Sequence, residues 1–382
     1  MDFSLDEETI LLRNSAEQYL RENCPTSFVK KVVKEQTGFS TAIWKELADL
    51  GWLGLIYDER YGGSGGKFFD LFILFEEIGK VLLPSPFFCS AILSGLIINE
   101  AGDAKQKDAY LPPIIQGEKI FTMALLDEQG RYDFNSPKLE AKETKDGGYV
   151  IDGTRILVPY AHVADAILAL AEVRGSSAGG PTIFRVDGQV DGQKIVPLDI
   201  ITEEKTFAVI FEKVEVPAGN VIGSIGKGHI YLNKIFPRAV ILKCGQMLGG
   251  LERVIEMTVA YVKERHQFGQ PLGSLQVVQH YCADMATFLE TTRLITYQAA
   301  SLLSEGIPCE KEVSMAKAWC SDAYKECTWI GHQLHGGIGF TEEHDLHLYY
   351  KHAKVSELSF EDSWFHRSRV AEEMGLGHGA DL

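Results

Sequence analysis

Apolar residues in the first third of the chain recur at the three- and four-residue steps of an α-helix. Two sets follow this spacing: Ile43, Trp44, Leu47 and Leu50, and Leu71, Leu74, Phe75 and Ile78. Such spacing places apolar side chains on one face of a helix, so the sequence predicts two amphipathic helices, the first ending near Gly51. Proline disfavours a helix interior, and the Pro112-Pro113 pair therefore predicts a boundary. We expect an N-terminal α-helical domain over residues 1–118.

Between residues 119 and 222 the apolar residues form short runs instead of helical repeats. These runs occupy residues 149–154, 166–170 and 207–211, and Val214 and Val216 then alternate with charged residues. Short runs bounded by Gly, Pro and Asp are typical of β-strands. The first run is expected to lead into a tight turn at Gly153. The segment 119–222 is therefore predicted to form a small β domain.

The helical pattern returns from residue 223 onwards. The three- and four-residue steps recur in Leu248, Leu251, Ile255, Val259 and Val262. This helix is predicted to end near Arg265, and a second helix is predicted to start after Ser274. We expect a C-terminal α-helical domain over residues 223–382. The order along the chain is then α, β, α, and the fold class is α+β.

Composition limits the classes of function. The chain has 382 residues, of which 45% are hydrophobic and 24% charged, so it can bury a sizeable core. Its net charge of -16 argues against a nucleic-acid binder, whose binding face is normally basic. The seven cysteines form no C-x-x-C pair, and we find neither a signal peptide nor an apolar run of membrane length. We predict a soluble cytoplasmic protein without a disulfide framework, a membrane span or a nucleic-acid partner.

A first candidate binding motif lies between the two C-terminal helices. It consists of Arg265 and Phe268 in the segment Arg-His-Gln-Phe-Gly, with Gln276 eleven residues after the arginine. An arginine at a helix end beside a glycine turn can hold a phosphate through charge-assisted hydrogen bonds, and Gln276 can reach the same ligand from the next helix. An ordinary inter-helix loop with a surface arginine explains the same pattern.

A second candidate motif is rich in glycine. The segment from Gln333 reads Gln-Leu-His-Gly-Gly-Ile-Gly-Phe and contains His335, Gly336 and Gly337. Glycines allow the backbone to approach a ligand closely, and their N–H groups can face a pyrophosphate. A helix C-cap followed by a turn is the alternative. The segment is not a G-x-G-x-x-G fingerprint, and no strand precedes it.

Histidines are frequent in the same region, and the set comprises His332, His335, His344, His347 and His352. A zinc site needs three or four converging ligands. His335 already belongs to the glycine-rich segment, and His332 follows the spacing of a helix. We predict no metal site.

Together the two motifs resemble the acyl-CoA dehydrogenase family. Further matching stretches follow in the same order along nearly the whole chain, at residues 50–55, 62–65, 76–80, 149–155 and 276–285. The resemblance implies an N-terminal α-helical domain, a middle β-barrel or sandwich and a C-terminal four-helix bundle. It also implies an FAD cofactor, an acyl-CoA substrate and an electron-transfer flavoprotein or similar acceptor. In that family a carboxylate removes the α proton of a thioester while the flavin accepts the β hydrogen as hydride.

The resemblance further divides the cofactor site between subunits. It implies that the ADP half of an FAD belonging largely to a neighbouring subunit is held by Arg265, Phe268, Gln276, Gln333, His335, Gly336 and Gly337. The flavin ring is expected to rest on the β domain of its own subunit. The chain should therefore assemble as a homo- or hetero-tetramer with a related dehydrogenase chain.

The sequence departs from the family pattern around the ring and the base. Residues 125–133 lack the Thr, Pro and Ser of the usual ring segment, and Leu157 and Pro159 replace a Trp and a Thr. Pro159 has neither a hydroxyl nor a backbone N–H to offer a flavin. The position of the catalytic Glu aligns with Phe360, and the next residue, Glu361, is either the base after a one-residue shift or a solvated carboxylate.

These departures leave three functions open, all compatible with the family. The chain is a subunit that completes the FAD site of a catalytic partner, a self-sufficient homo-oligomer that uses Glu361 as base, or a non-catalytic module that binds acyl-CoA or completes a flavin site. A flavin oxidase is disfavoured because such relatives are usually much longer. The sequence does not identify the acyl group.

Overall fold

The computed structural model describes residues 5–174, 179–202 and 204–376. Within them the chain forms two compact units. The first, which we call the helical unit, is drawn from Met1–Val29, Lys67–Leu83 and Val240–Leu382. The second, the mixed unit, is drawn from Lys30–Gly66 and Pro84–Ala239. The order α, β, α along the chain is confirmed, while the two domain boundaries, after residues 118 and 222, stay predictions.

The helices agree with the apolar spacing of the sequence. The described residues form α1 (Glu7–Asn23), α2 (Thr26–Val32), α3 (Thr41–Asp49), α4 (Phe68–Val81), α5 (Gly95–Ala101), α6 (Ala104–Ile115), α7 (Gly228–Glu264), α8 (Gln276–Ser304), α9 (Glu310–His335), α10 (Leu346–Leu358) and α11 (Ser363–Glu373). The predicted ends near Gly51 and Arg265 and the start after Ser274 are confirmed. Among the described residues we find no helix with the length and apolar character needed to cross a membrane.

The boundary predicted at Pro112-Pro113 is wrong by about one turn. Both prolines lie inside α6, which continues to Ile115, and the Gln116 N–H donates to the Pro112 carbonyl at 2.9 Å. A proline lacks an N–H donor but keeps its carbonyl acceptor. The turn that follows Pro112 can therefore still close.

The mixed unit contains one eight-stranded sheet. Its strands are β1 (Phe121–Ala124), β2 (Glu140–Glu143), β3 (Tyr149–Pro159), β4 (Ala166–Arg174), β5 (Gly180–Asp187), β6 (Gln193–Leu198), β7 (Thr206–Val216) and β8 (Val221–Ile222). They lie in the order β6-β7-β3-β2-β4-β5-β8, with β1 also paired with β4. Both β1 and β2 run parallel to β4, and the other pairs are antiparallel. The small β domain expected from the short apolar runs is thus present as a sheet.

The tight turn predicted at Gly153 is wrong. Strand β3 continues through this residue to Pro159, and its register against β7 shifts between Ile151 and Gly153. Gly153 has a φ of 132°, which an L side chain rarely adopts. Two steps along β3 face three along β7 at this shift, so the extra residue of the bulge lies on β7, where Lys213 has a φ of 55°, and Gly153 continues the strand opposite it.

Close helix packing in the helical unit depends on glycines. A Cβ on Gly249 of α7 would lie 1.8 Å from the Glu76 carbonyl of α4, and a Cβ on Gly79 would lie 2.1 Å from the Gln246 carbonyl. No side chain fits at either point, so the backbones of α4 and α7 lie in contact. This contact brings the buried carboxylate of Glu76 into the middle of the unit.

Glu76 is the centre of a buried ionic cluster. Its side chain is 1% exposed. Its Oε2 accepts hydrogen bonds from Arg13 Nη2 at 3.1 Å and from the Tyr297 hydroxyl at 2.8 Å. Its Oε1 lies 3.9 Å from Arg293 Nε. Burial raises the pKa of this carboxyl, and Arg13 and Tyr297 oppose the rise.

The neighbouring Glu77 should make stability depend on pH. Burial raises its pKa to about 7, despite an ion pair with Lys80 at 3.0 Å. A carboxyl with a raised folded-state pKa stabilises the fold fully below its unfolded pKa, and this contribution is lost as pH rises through about 7. We expect the wild type to lose about 2 to 4 kcal/mol of unfolding free energy between pH 4.5 and 8 relative to Glu77→Gln. Urea titrations of both proteins across this range test the difference, and parallel pH profiles would contradict it.

Candidate functional site

The first predicted motif forms a small hairpin after α7. His266–Gln267 and Gln270–Pro271 pair antiparallel as β9 and β10. The tip residue Phe268 has a φ of 53° and is 86% exposed. Arg265 stands at the base of the hairpin with an exposed side chain, and its carbonyl accepts from the Leu272 N–H at 2.8 Å. The guanidinium and the Phe268 ring are therefore both presented for contact with another molecule.

Gln276 is the first residue of α8, and it is exposed. The residue at the N-cap is Leu275, which has no polar side chain to accept the first N–H groups of the helix. The N-terminus of a helix carries a partial positive charge and free N–H donors, which favour an anion. Together with Arg265, this end of α8 has the donors that a phosphate group requires.

The glycine-rich segment begins where α9 ends. Gly336 has a φ of 63°, and its N–H donates to the His332 carbonyl. It therefore caps α9, as expected from the alternative interpretation of this segment as a helix C-cap and turn. A Cβ on Gly336 or Gly337 would meet no described atom within 4 Å, and both residues are exposed, as is Gln333. The cap and an open backbone surface therefore occur in the same segment.

The two motifs meet at one end of the helical unit. Tyr261 lies one turn before Arg265 on α7, and its ring stacks on that of His335 at a centroid distance of 4.3 Å and an angle of 25°. The Tyr261 hydroxyl donates to the His335 carbonyl at 3.3 Å. The hairpin that follows α7 and the glycines that follow α9 are thus held on neighbouring helix ends. Sequence reasoning missed Tyr261, although its spacing of four residues from Arg265 places both on one helix face.

His335 contributes differently from the other predicted residues. Its ring is buried, and its Nδ1–H donates to the Gly331 carbonyl at 2.7 Å. Burial lowers the pKa of this imidazole, and among described atoms Nε2 has no hydrogen-bond partner. The ring packs inside the unit, while the backbone that follows it leads to the open glycines.

The segment expected to face the flavin ring satisfies its own polar groups. Asp127 is 2% exposed, and its Oδ1 accepts from the Gln129 N–H at 2.9 Å and the Arg131 N–H at 3.0 Å. The Gly130 N–H donates to the Asp127 carbonyl. Burial raises the pKa of Asp127, but the two N–H bonds and the Arg131 guanidinium together outweigh this and hold the pKa below its usual range. Three consecutive backbone donors are therefore used within the turn.

The next part of the predicted ring site is an irregular stretch of β3. Leu157 has a φ of 53° where the register against β7 shifts, and it is 40% exposed. The Pro159 carbonyl accepts from the Thr122 hydroxyl at 2.7 Å. Tyr160, the residue after Pro159, is 1% exposed and packs edge-on against Phe39 at 5.8 Å. An aliphatic side chain is thus what this stretch exposes.

The expected base position lies in a strained turn between α10 and α11. Phe360 and Glu361 are consecutive left-handed residues with φ of 58° and 71°. Phe360 is 5% exposed, and Glu361 is partly exposed. The fully buried Lys317 donates to the Glu361 carbonyl at 2.9 Å, and His366 Nε2–H donates to the Phe360 carbonyl at 2.9 Å. These two bonds fix a backbone that non-glycine residues adopt at a cost.

Replacing Glu361 with glycine should therefore stabilise the fold. Glycine adopts φ of 71° without strain, so Glu361→Gly is expected to raise the free energy of unfolding by about 0.5 to 1 kcal/mol. The matched control is Glu326→Gly at an exposed interior position of α9, which should lower it by about 1 kcal/mol. Denaturant titration measures both. Equal destabilisation would show that the turn is not strained.

The residues of the two motifs and of the β domain fit one half of an FAD better than the other. Exposed Arg265, the uncapped start of α8 and the open glycines match a pyrophosphate by charge and shape. On the ring side, three N–H groups of the Asp127 turn are already used within the turn, and the Leu157 side chain has no hydrogen-bonding group. Within the described residues no group of three or more His, Cys, Asp or Glu side chains is placed to hold a metal ion.

Comparison with family models agrees with the resemblance noted in the sequence. The model of the acyl-CoA dehydrogenase N-terminal domain matches residues 6–118, and that of the C-terminal domain matches residues 226–374. The short/branched chain specific acyl-CoA dehydrogenase of Bos taurus mitochondria is 31% identical over 359 residues. The alignment covers 92% of this chain and 82% of the bovine protein.

Solved structures are similar over nearly the full length. Butyryl-CoA dehydrogenase from Megasphaera elsdenii superposes with a TM-score of 0.90 at 25% identity, covering 98% of this chain and 100% of that one. A chain of the ChsE4-ChsE5 complex from Mycobacterium tuberculosis superposes with a TM-score of 0.89 at 25% identity, covering 99% and 100%. The second of these is an assembly of two different chains.

Proposed function

Since the chain belongs to the acyl-CoA dehydrogenase family of FAD-dependent oxidoreductases, we propose that it is the subunit that completes the FAD site of a related catalytic chain. The two chains would form a hetero-oligomer acting on an acyl-CoA thioester. The similarity to the two-chain ChsE4-ChsE5 complex supports this proposal. An electron-transfer flavoprotein or a similar acceptor would take the electrons.

The observation that carries the proposal is the unequal fit of the two halves of the cofactor. The residues suited to a pyrophosphate are exposed: Arg265 carries the matching positive charge, and Gln276 has a neutral amide that can donate a hydrogen bond. The residues at the ring positions are Leu157 and a self-paired turn around Asp127. Placing the polar edge of a flavin against groups that cannot hydrogen-bond to it costs roughly 1 to 3 kcal/mol for each unsatisfied atom. An FAD owned by this chain would therefore bind weakly.

The chemistry assigned to this chain is binding and orientation. When bound, FAD supplies the hydride acceptor of the family reaction. Arg265 would neutralise phosphate charge, the start of α8 would donate N–H groups, and Gly336 and Gly337 would allow the backbone to approach the phosphates. Phe360 has no proton-accepting group and is buried. The carboxylate that removes the α proton is therefore expected on the partner chain.

A second candidate function rests on Glu361. This residue is partly exposed beside the expected base position, in a strained turn held by Lys317. Strained backbone is found disproportionately at functional sites. If Glu361 is the base, the chain would act as a self-sufficient homo-oligomer, and it would then need full FAD occupancy.

Binding of cofactor fragments tests the proposed function directly. The purified full chain is titrated with ADP and, separately, with riboflavin in a calorimeter at low salt. We expect heat from ADP binding and none from riboflavin, because the charged half of the site is the one present on this chain. Riboflavin binding as tight as ADP binding would contradict the proposal, and so would an absence of ADP binding.

A further inference from the structure

We propose that Tyr261 is a positioning residue that fixes the Arg265 hairpin and the Gly336-Gly337 segment relative to each other, so that both meet the same dinucleotide phosphates. The inference rests on the proposed function for the identity of the ligand. Tyr261 itself would not touch the cofactor. It would act through the two segments that do.

Its connection to Arg265 runs through the backbone. Tyr261 and Arg265 are separated by one turn of α7, and the Arg265 N–H donates to the Tyr261 carbonyl at 2.8 Å. This is the last helical hydrogen bond before the hairpin. This bond holds the Arg265 backbone, and with it the base of the hairpin, to the turn of α7 that carries the Tyr261 ring.

Its connection to the glycines runs through His335. The Tyr261 ring lies nearly parallel to the His335 ring at 4.3 Å, and its hydroxyl donates to the His335 carbonyl at 3.3 Å. That carbonyl belongs to the peptide that continues into Gly336, whose φ of 63° starts the open segment. Tyr261 thus holds both the ring and the backbone of the residue before the glycines.

The His335 ring is itself fixed from several sides. Its Nδ1–H donates to the Gly331 carbonyl, which leaves Nε2 as the lone-pair nitrogen of a neutral imidazole. The ring of His344 lies 4.5 Å away. Burial lowers the pKa of His335, so the neutral form that stacks on Tyr261 is the form present at neutral pH. Because the His335 ring is held in place, the Tyr261 ring that stacks on it is held in place as well.

The helices are also close at this point. A Cβ on Gly331 would lie 3.2 Å from the Thr258 hydroxyl oxygen and 3.3 Å from a Val254 methyl group. Gly331 precedes His335 by one turn of α9, and Thr258 precedes Tyr261 by about one turn of α7. The two helices therefore run in contact up to the Tyr261–His335 pair, after which the chain continues from α7 into the hairpin and from α9 into the glycine segment.

The test combines hydrogen exchange with ligand binding on the full chain. Tyr261→Leu removes the stack and the hydroxyl, whereas Tyr261→Phe keeps the ring and removes only the hydrogen bond. The control is Tyr324→Leu. It breaks a different Tyr–His pair, between Tyr324 and His352, and Tyr324 lies on α9, the helix that also carries His335. Amide exchange is measured by mass spectrometry on peptides that cover residues 265–271 and 336–340, without ligand.

We expect Tyr261→Leu to accelerate exchange in both peptides, with a smaller change in Tyr261→Phe and none specific to these peptides in Tyr324→Leu. We expect the dissociation constant for ADP to rise about tenfold in Tyr261→Leu and less than threefold in Tyr261→Phe. In an Arg265→Ala background the effect of Tyr261→Leu should shrink, because a positioning residue is coupled to the residue it positions.

Unchanged exchange in the two peptides of Tyr261→Leu would overturn the inference whatever the ligand. Independent, additive losses of ADP affinity in the Tyr261→Leu/Arg265→Ala double variant would overturn it as well. If the wild type fails to bind ADP, the proposed function is wrong, and the exchange experiment still decides whether Tyr261 holds the two segments.

Discussion

Arg265→Ala is expected to weaken FAD retention by the assembled oligomer roughly tenfold to a hundredfold. A hydrogen bond between a charged side chain and a phosphate contributes about 1.5 to 3 kcal/mol, and every 1.4 kcal/mol is about tenfold in affinity. The Arg265 side chain is exposed, so its removal leaves no cavity in the fold. FAD content after dialysis, measured by absorbance per polypeptide, gives the result.

The control for this experiment is an arginine elsewhere in the helical unit. Arg369 lies on α11, and its Nη1 is 3.9 Å from the Glu372 carboxylate. Arg369→Ala removes the same charge without touching the hairpin, so its FAD content should equal that of the wild type. A folded Arg265→Ala oligomer with unchanged FAD would show that the hairpin does not hold the cofactor, and an equal loss in both variants would point to net charge instead of a site.

Glu76→Ala is expected to be the most destabilising single change considered for this chain. Removing the buried partner of an ion pair costs up to about 3 to 5 kcal/mol, and here Arg13 would keep the longer 3.7 Å contact of its Nε with Glu77. Arg13 would lose the carboxylate that its Nη2 contacts at 3.1 Å, and the Tyr297 hydroxyl would lose its 2.8 Å bond. Urea denaturation at neutral pH measures the loss in the free energy of unfolding.

Glu290 provides a control because it pairs with Arg293, which also lies near Glu76. Its Oε1 lies 2.7 Å from Arg293 Nη1, nearer than the 3.9 Å that separates Glu76 from Arg293 Nε, yet Glu290 is exposed. Exposed ion pairs contribute about 0 to 1 kcal/mol, so Glu290→Ala should have a small effect. Similar losses in the two variants would show that burial of Glu76 does not determine its contribution.

Helices could be predicted from the sequence where the spacing of apolar residues along the chain determines which face is buried. The repeats through Ile43 and Leu248 are confirmed as α3 and α7, since apolar spacing reports directly which helix face is buried. The turn at Gly153 and the boundary at Pro112 were wrong for separate reasons. A glycine suits a tight turn and also an irregular strand such as β3 opposite the β7 bulge. A proline removes an N–H donor but does not determine whether the following turn of helix closes.

The candidate site was predictable only as a set of segments. The resemblance identified Arg265 and the glycines, which carry recognisable sequence, and their roles stay predictions. It could not identify Tyr261 as the contact between them, because that contact joins residues 74 positions apart. The buried Lys317 that holds the Glu361 turn is likewise 44 residues from its acceptor. Contacts between distant segments depend on tertiary packing, which local pattern does not specify.

We propose that this chain completes a partner's FAD site more than it owns one. The unequal fit of the two halves gives a numerical consequence. If the ring half lies on the partner, the number of cofactors is set by the number of partner chains and not by the number of copies of this chain.

The direct measurement is the ratio of FAD to polypeptide in two preparations, obtained from flavin absorbance and quantitative amino-acid analysis, with the mass of each assembly determined in solution. We predict that the chain expressed alone retains little FAD. Expressed together with a related catalytic dehydrogenase chain, it should form a mixed oligomer with fewer than one FAD per chain. A homotetramer of this chain alone, with one FAD per chain and acyl-CoA dehydrogenase activity, would contradict the claim while leaving the family assignment intact.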